Sequence, residues 1–346
     1  MKTALICFSD AGSALAIKLC SLFGWRKEDV HSIVKFADKY GFTAHEKIAA
    51  DMGELFRANG ALVFIGACGI AVRDIAPHLK SKTEDPAVLV IDDRGRYVIP
   101  ILSGHIGGAN ALAKEIADKL GGGAIPVVTT ATDGAGRFSC DAWAATHNCA
   151  ISSMTAAKEV SARILTEDVP ITAEAAFALP DPLPSGLIPG KDGGGAGIYI
   201  GTETARKGLR LIPRILTLGI GCRRGTPAEA IAEAVRETFV EAGIDPVSVE
   251  RIASIDVKRD EAGLVEYALR IGVPLRFYTA DELNAVEGSF QESEFVKKTV
   301  GVGNVCERAA VLGSTNETAA GRLVIGKTAK YGVTVAAAAR DWRIEF

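Results

Sequence analysis

The residues best suited to chemistry fall in three short polar segments, each placed after an apolar run. In Ser103-Gly104-His105-Ile106-Gly107-Gly108-Ala109-Asn110 the glycines permit close backbone approach, and a helix predicted to start at 109 offers unpaired N–H donors. Such a place suits a carboxylate or a developing oxyanion. A neutral His105 imidazole there is able to take a proton from water, although a histidine that only caps the loop fits the same pattern. The second segment, 69–87, carries Arg73, Lys82 and Asp85 directly after the run at 61–65. Arg73 and Lys82 suit ligand carboxylates, the bland alternative being a pairing of Arg73 with Asp74 or Asp85. In the third, Thr129, Thr130, Thr132 and Asp133 close a run starting at 125. The three loops are expected to converge on one crevice at the carboxyl ends of strands.

The second half offers Arg223 and Arg224 after an apolar run at 215–218, Lys258 within 256–261, and Glu307 within 301–307. Lys258 either faces a ligand or sits in a solvated turn. Gly219-x-Gly221-x-x-x-Gly225 is one residue longer than a dinucleotide fingerprint, so it reads either as an anion-receiving turn or as a plain tight turn. Residues 321–328 match the phosphate-loop pattern GxxxxGK[ST], but the apolar strand lies inside the supposed loop and no helix follows, which argues against nucleotide binding.

Elements must hold these segments in place. Ala109, Leu112, Ala113, Ile116, Ala117 and Leu120 recur at helical spacing, and His45 to Arg57 carries Ile48, Met52, Leu55 and Phe56 on one face. Short apolar runs at 4–8, 33–36, 61–65, 87–91, 97–102 and 125–129 read as strands, with a helix at 13–22. Apolar strands between amphipathic helices predict an α/β fold: two sheet domains with helices on both faces, 1–135 and 214–346, joined by a less regular middle at 136–213. A helix is expected at 155–165, and the Pro/Gly-rich stretch 180–197 reads as a linker. Strands at 215–218, 251–257, 275–278, 323–325 and 333–337 and helices at 261–270 and 305–312 complete the second domain.

Composition narrows the class further. At 346 residues, two or three domains are expected, and 48% hydrophobic with 23% charged residues excludes a disordered or fibrous chain. A net charge of −3 excludes a broad grip on nucleic acid. No apolar run reaches the roughly 18 residues of a membrane span, and the N-terminus reads as a first strand rather than a signal peptide. Seven scattered cysteines without a CxxC pair fit reduced thiols in a cytoplasm.

The segments GIAVRDIAPHLKSKTEDPAV, LSGHIGGANALA and VVTTATD, followed by LGIGCRRGT, IDVKRDEAGL, FVKKTVGVGNVCERAA and GVTVAAAA, resemble the cobalt-precorrin-5A hydrolase family of anaerobic cobalamin biosynthesis. The resemblance runs from residue 1 to about 338. It implies opening of the δ-lactone that joins the ring A acetate to C20 of cobalt-precorrin-5A, with loss of acetaldehyde to give cobalt-precorrin-5B. It implies a corrinoid substrate that brings its own cobalt, no protein cofactor or metal, and neighbouring cobalamin-pathway enzymes as candidate partners, with neither nucleic acid nor membrane. On this reading His105 assists water, the N–H groups of Gly107 and Gly108 receive the oxyanion, and Asp85, Asp133 or Glu307 moves a proton. Arg73, Lys82, Arg223, Arg224 and Lys258 supply positive charge, with Gly104, Asn110, Thr129 and Thr130 lining the substrate. A corrinoid carrier without catalysis is the alternative.

Overall fold

The computed structural model describes residues 1–81, 84–105, 107–130, 136–191, 197–316 and 319–346. Lys82, Thr132, Asp133 and the Gly193–195 run lie outside them. Chain contacts divide the protein into two units, Met1–Thr146 and His147–Phe346.

The first unit is a seven-stranded sheet in the order β3-β2-β1-β4-β5-β6-β7. Its strands are β1 (Thr3–Cys7), β2 (Val30–Ile33), β3 (Thr43–His45), β4 (Ala61–Ile65), β5 (Ala87–Ile91), β6 (Tyr97–Leu102) and β7 (Ile125–Pro126). Its helices are α1 (Asp10–Phe23), α2 (Val34–Tyr40), α3 (Ile48–Ala58), α4 (Cys68–Ile75), α5 (Ala109–Leu120) and α6 (Cys140–Thr146). Alternate strand residues serve opposite faces, as the pleat requires. Leu5, Cys7, Val63, Ile65, Leu89 and Ile91 pack with Leu15, Leu19, Leu112 and Ile116 of α1 and α5. Ala4, Ile6, Leu62, Phe64, Val88 and Val90 pack with Ile48, Met52, Phe56, Ala71 and Ile75 of α3 and α4. Both faces are therefore covered, which is why the strands read as unbroken apolar runs.

Three expectations change here. Residues 34–36 are helical: the adjacent Phe36 and Ala37 are both buried, and Gly41 at φ +74° ends α2 in the left-handed region. The strand at 125–129 stops at Pro126. The loop expected at 69–87 begins instead as α4, followed by a single 3₁₀ turn at Ala76–His78, so Arg73 stands on a helix.

The second unit holds two five-stranded sheets. One, in the order β10-β9-β11-β12-β8, is built from β8 (Cys149–Ile151), β9 (Val169–Ala173), β10 (Leu187–Pro189), β11 (Ile198–Ile200) and β12 (Leu209–Pro213), with α7 (Met154–Ile164). The expected linker at 180–197 thus contains a strand: Leu187–Pro189 pairs in parallel with Val169–Ile171. The other sheet runs β15-β14-β13-β17-β16, from β13 (Leu216–Cys222), β14 (Val249–Ile255), β15 (Leu275–Tyr278), β16 (Arg322–Lys330) and β17 (Val333–Ala339). Helices α8 (Ala228–Ala242), α9 (Ala262–Ile271), α10 (Ala280–Asn284), α11 (Glu294–Val300) and α12 (Val305–Ser314) accompany it. All but the first residue of the phosphate-loop match at 321–328 lies within β16.

The Gly219 motif also departs from a turn, because β13 continues to Cys222. A Cβ at Gly219 would run into the backbone of Cys306 and Ala310, so this glycine lets α12 lie directly on the strand.

Candidate functional site

Strand direction decides which loops share an edge. β4 and β5 are parallel, but β5 and β6 are antiparallel, and β7 runs with β6. The loop after β4 therefore leaves one edge of the sheet, and the loops after β6 and β7 leave the other. The three loops do not converge on one set of carboxyl ends as expected; two of them do.

Those two are stitched together. Asn110, buried in the first turn of α5, donates from Nδ2 to the Thr130 hydroxyl at 3.2 Å. Gly104 is required beside it, since a Cβ there would lie 2.8 Å from the Asn110 amide oxygen. The Ser103 hydroxyl donates to the Asp85 carbonyl at 2.9 Å, at the entry to β5. The Asp85 carboxylate is occupied in turn by the Lys80 N–H, at 3.0 and 3.1 Å. Asp85 is thus a turn anchor in this geometry, and Thr129 is exposed.

The loop also consumes its own amides. Gly108, at φ +83°, donates its N–H to the His105 carbonyl (3.0 Å); Ala109 donates to Ser103 (3.2 Å) and Asn110 to Gly104 (2.9 Å). Of the two N–H groups expected to receive an oxyanion, that of Gly108 is engaged within the loop.

His105 gains a partner that sequence inspection missed. Its Nδ1 lies 3.1 Å from Asp141 Oδ1, and the two side chains are 15% and 16% exposed. The same carboxylate oxygen accepts the Ser139 hydroxyl (2.8 Å) and the Ala142 N–H (3.2 Å). Asp141 stands in the first turn of α6, where a helix favours negative charge. A histidine whose ring is oriented by a carboxylate has the base–orienter arrangement of acyl-transfer sites. Arg73 is exposed on α4, donates to the Gly69 carbonyl at 3.1 Å, and forms no ion pair among the described residues.

The second unit contains a cavity of about 750 Å³ at the carboxyl ends of parallel β13 and β14, where open α/β sheets bind ligands. Arg223, Arg224, Lys258, Lys327 and Lys330 line it against a single carboxylate, Glu261. Glu261 is committed: it pairs with Lys258 at 3.0 Å and accepts the Gly225 N–H. Lys330 is held by Glu237 at 3.0 Å and by Glu241. Arg223 and Arg224 are exposed and form no ion pair among the described residues. Phe295, Val257 and Tyr331 line the cavity while 79%, 65% and 59% exposed, a cost in water that contact with an apolar ligand would remove. Burial pushes up the Cys222 thiol in the wall and takes Cys306 to about 11, so neither is a ready nucleophile at neutral pH.

Glu307 sits behind this wall rather than in it, 2% exposed. Its carboxylate accepts N–H bonds from Gln291 (2.9 Å), Lys327 (2.8 Å) and the Asn304 side chain. With its oxygens taken by donors, it anchors three chain segments. Among the described residues no group of three His, Cys, Asp or Glu side chains is arranged to hold a metal ion, and no helix is long and apolar enough to cross a membrane.

As a class, this is a mixed α/β protein with a large cationic cavity at a sheet edge and a His–Asp pair in its other unit. Residues 51–133 match the family described as cobalamin synthesis G N-terminal, and 216–338 match cobalamin synthesis G C-terminus. The chain is 35% identical to the cobalt-precorrin-5A hydrolase of Salmonella typhimurium over 96% of each chain. It is 31% identical to the cobalt-precorrin-5A hydrolase of Priestia megaterium, over 96% of this chain and 94% of that one. A solved cobalamin biosynthesis protein G homologue from Sulfolobus solfataricus matches at 21% identity and a TM-score of 0.39, covering 98% of this chain and 97% of that one. The chain belongs to the cobalt-precorrin-5A hydrolase family of cobalamin biosynthesis.

Proposed function

We propose that this protein opens the ring A acetate δ-lactone of cobalt-precorrin-5A and releases acetaldehyde, giving cobalt-precorrin-5B. The observation that carries the reading is the cavity of the second unit. Its volume is within the range of small-molecule sites, its charge is almost wholly positive, and its apolar residues stand exposed. A flat macrocycle with peripheral carboxylates complements all three properties: faces against Phe295, Val257 and Tyr331, carboxylates toward Arg223 and Arg224, with Lys258 beside them in its pair with Glu261. The cobalt arrives with the substrate.

His105 is the base in this reading. Water adds to the lactone carbonyl carbon while its proton passes to His105, and a negative oxygen forms on that carbon. Collapse breaks the bond to the C20 oxygen, which takes a proton, and the ring A acetate becomes a free carboxylate. The bond from C20 to the macrocycle then breaks. Its electron pair and a proton stay with the macrocycle, the C20 hydroxyl loses its proton, and C20 leaves as the aldehyde carbon. The sum is one water consumed and one acetaldehyde formed. The reaction belongs to a reducing cytoplasm, with which seven scattered cysteines lacking a CxxC pair agree.

Turnover in ¹⁸O-water tests the route. Attack at the carbonyl puts one ¹⁸O into the product's ring A carboxylate; an unlabelled carboxylate would mean attack at C20 and would remove the need for an acyl oxyanion.

A further inference from the structure

We infer that Asp141 is the positioning residue for His105, fixing the imidazole as the tautomer with hydrogen on Nδ1 and a lone pair on Nε2. The inference rests on the reading of His105 as the base, and it adds a residue outside the sequence motifs.

Three observations carry it. His105 Nδ1 lies 3.1 Å from Asp141 Oδ1 and 3.5 Å from the Ser139 hydroxyl, whose own hydrogen goes to Asp141 at 2.8 Å; a carboxylate only accepts, so the proton between Nδ1 and these oxygens resides on the ring. A neutral imidazole carries one ring hydrogen, so Nε2 holds the lone pair. Asp141 is itself fixed by the Ser139 hydroxyl at 2.8 Å and the Ala142 N–H at 3.2 Å, and Ser139 is held at the start of α6 by the Trp143 N–H at 3.0 Å. The histidine backbone is fixed independently, through the Gly108 N–H on its carbonyl. Ring and backbone are thus held by two different elements, α6 and the turn into α5, as a base needs if it is to meet water in one orientation.

In the lactone step the water proton moves to Nε2 as the new C–O bond forms. The Nδ1 hydrogen stays against Asp141, whose charge stabilises the imidazolium until the proton is passed on to the C20 oxygen.

The test uses the full chain labelled with ¹⁵N-histidine, with His105→Gln assigning the resonance among five histidines. The expected result is an Nδ1–H tautomer for His105 at neutral pH, lost in Asp141→Ala and restored in Asp141→Glu. With cobalt-precorrin-5A, Asp141→Ala is expected to lower kcat by about 10²- to 10⁴-fold with KM nearly unchanged, and Asp141→Glu to recover part of the loss. An Nε2–H tautomer in the parent protein, or one indifferent to Asp141→Ala, overturns the pairing itself. A tautomer that shifts while kcat does not overturns the use of His105 as base, which separates the failure of that reading from the failure of this one.

Discussion

Lys258 Nζ and the Glu261 carboxylate meet at 3.0 Å in the cavity wall, 15% and 8% exposed, and the same carboxylate takes the N–H of Gly225. One acid therefore ties the end of β14 to the turn that carries Arg223 and Arg224. Burial pushes the Glu261 carboxyl up, but the hydrogen bonds from Lys258 and Gly225 outweigh it and hold the group below the ordinary carboxylate range. Its contribution to stability is present at neutral pH and is lost as pH falls through its lowered value. Glu261→Gln is expected to cost about 1–3 kcal/mol in denaturant unfolding and to weaken corrinoid binding as the arginine turn loosens. Unchanged stability would contradict the tie.

The two arginines are expected to act on the ligand alone. Replacing Arg223 or Arg224 with Ala should raise the Kd for the corrinoid about tenfold each, with thermal unfolding unchanged, because neither side chain pairs within the described protein. Binding titrations at two salt concentrations check this, and the double variant should show the weaker salt dependence.

Much of this was legible in the sequence, and what was missed has physical reasons. Helix α5 was readable because Leu112, Ala113, Ile116 and Ala117 repeat at helical spacing and are all buried. The direction of β6 was not, since an apolar run looks the same in a parallel and an antiparallel strand. That one ambiguity misplaced the loop after β4 relative to the loop after β6. Asp141 lies 36 positions from His105, and only folding brings a contact of that range together. Ser139 followed by Asp141 reads as a plain helix start. Gly219 looked like a turn because glycine marks both turns and close helix–strand contacts; the contact with Cys306 settles it. The exposure of Phe295 beside a cavity leaves no mark on composition.

His31 gives the first unit an acid-sensitive element. Its Nδ1 lies 2.9 Å from His45 Nε2, and His45 Nδ1 lies 2.7 Å from Asp51. Burial, then the charge of His45, push the His31 imidazole down to about 4, with Lys2 adding and Asp29 opposing. The unfolded chain takes up a proton near the ordinary histidine value of 6.5, whereas the folded protein resists until about 4. Stability is therefore constant above that window and falls as pH is lowered through it, by about 2 kcal/mol in all. His31→Gln should flatten this part of the stability–pH curve; an unchanged slope would assign it to other groups.

Glu307 separates an anchor from a proton shuttle. Its three N–H donors predict that Glu307→Gln costs about 1–3 kcal/mol of stability, because the new amide turns a donor toward donors. The folded fraction should keep its kcat. A stable variant with abolished turnover would return Glu307 to the chemistry.

The central claim is hydrolysis with loss of a two-carbon fragment, and the direct measurement is acetaldehyde released per corrinoid when purified protein meets cobalt-precorrin-5A without oxygen. The account predicts one acetaldehyde per macrocycle from the parent protein and a loss of about 10²-fold or more in rate for His105→Ala, with corrinoid binding retained. Tight binding of the corrinoid by the parent protein with no acetaldehyde formed would contradict it and make the chain a carrier of the macrocycle.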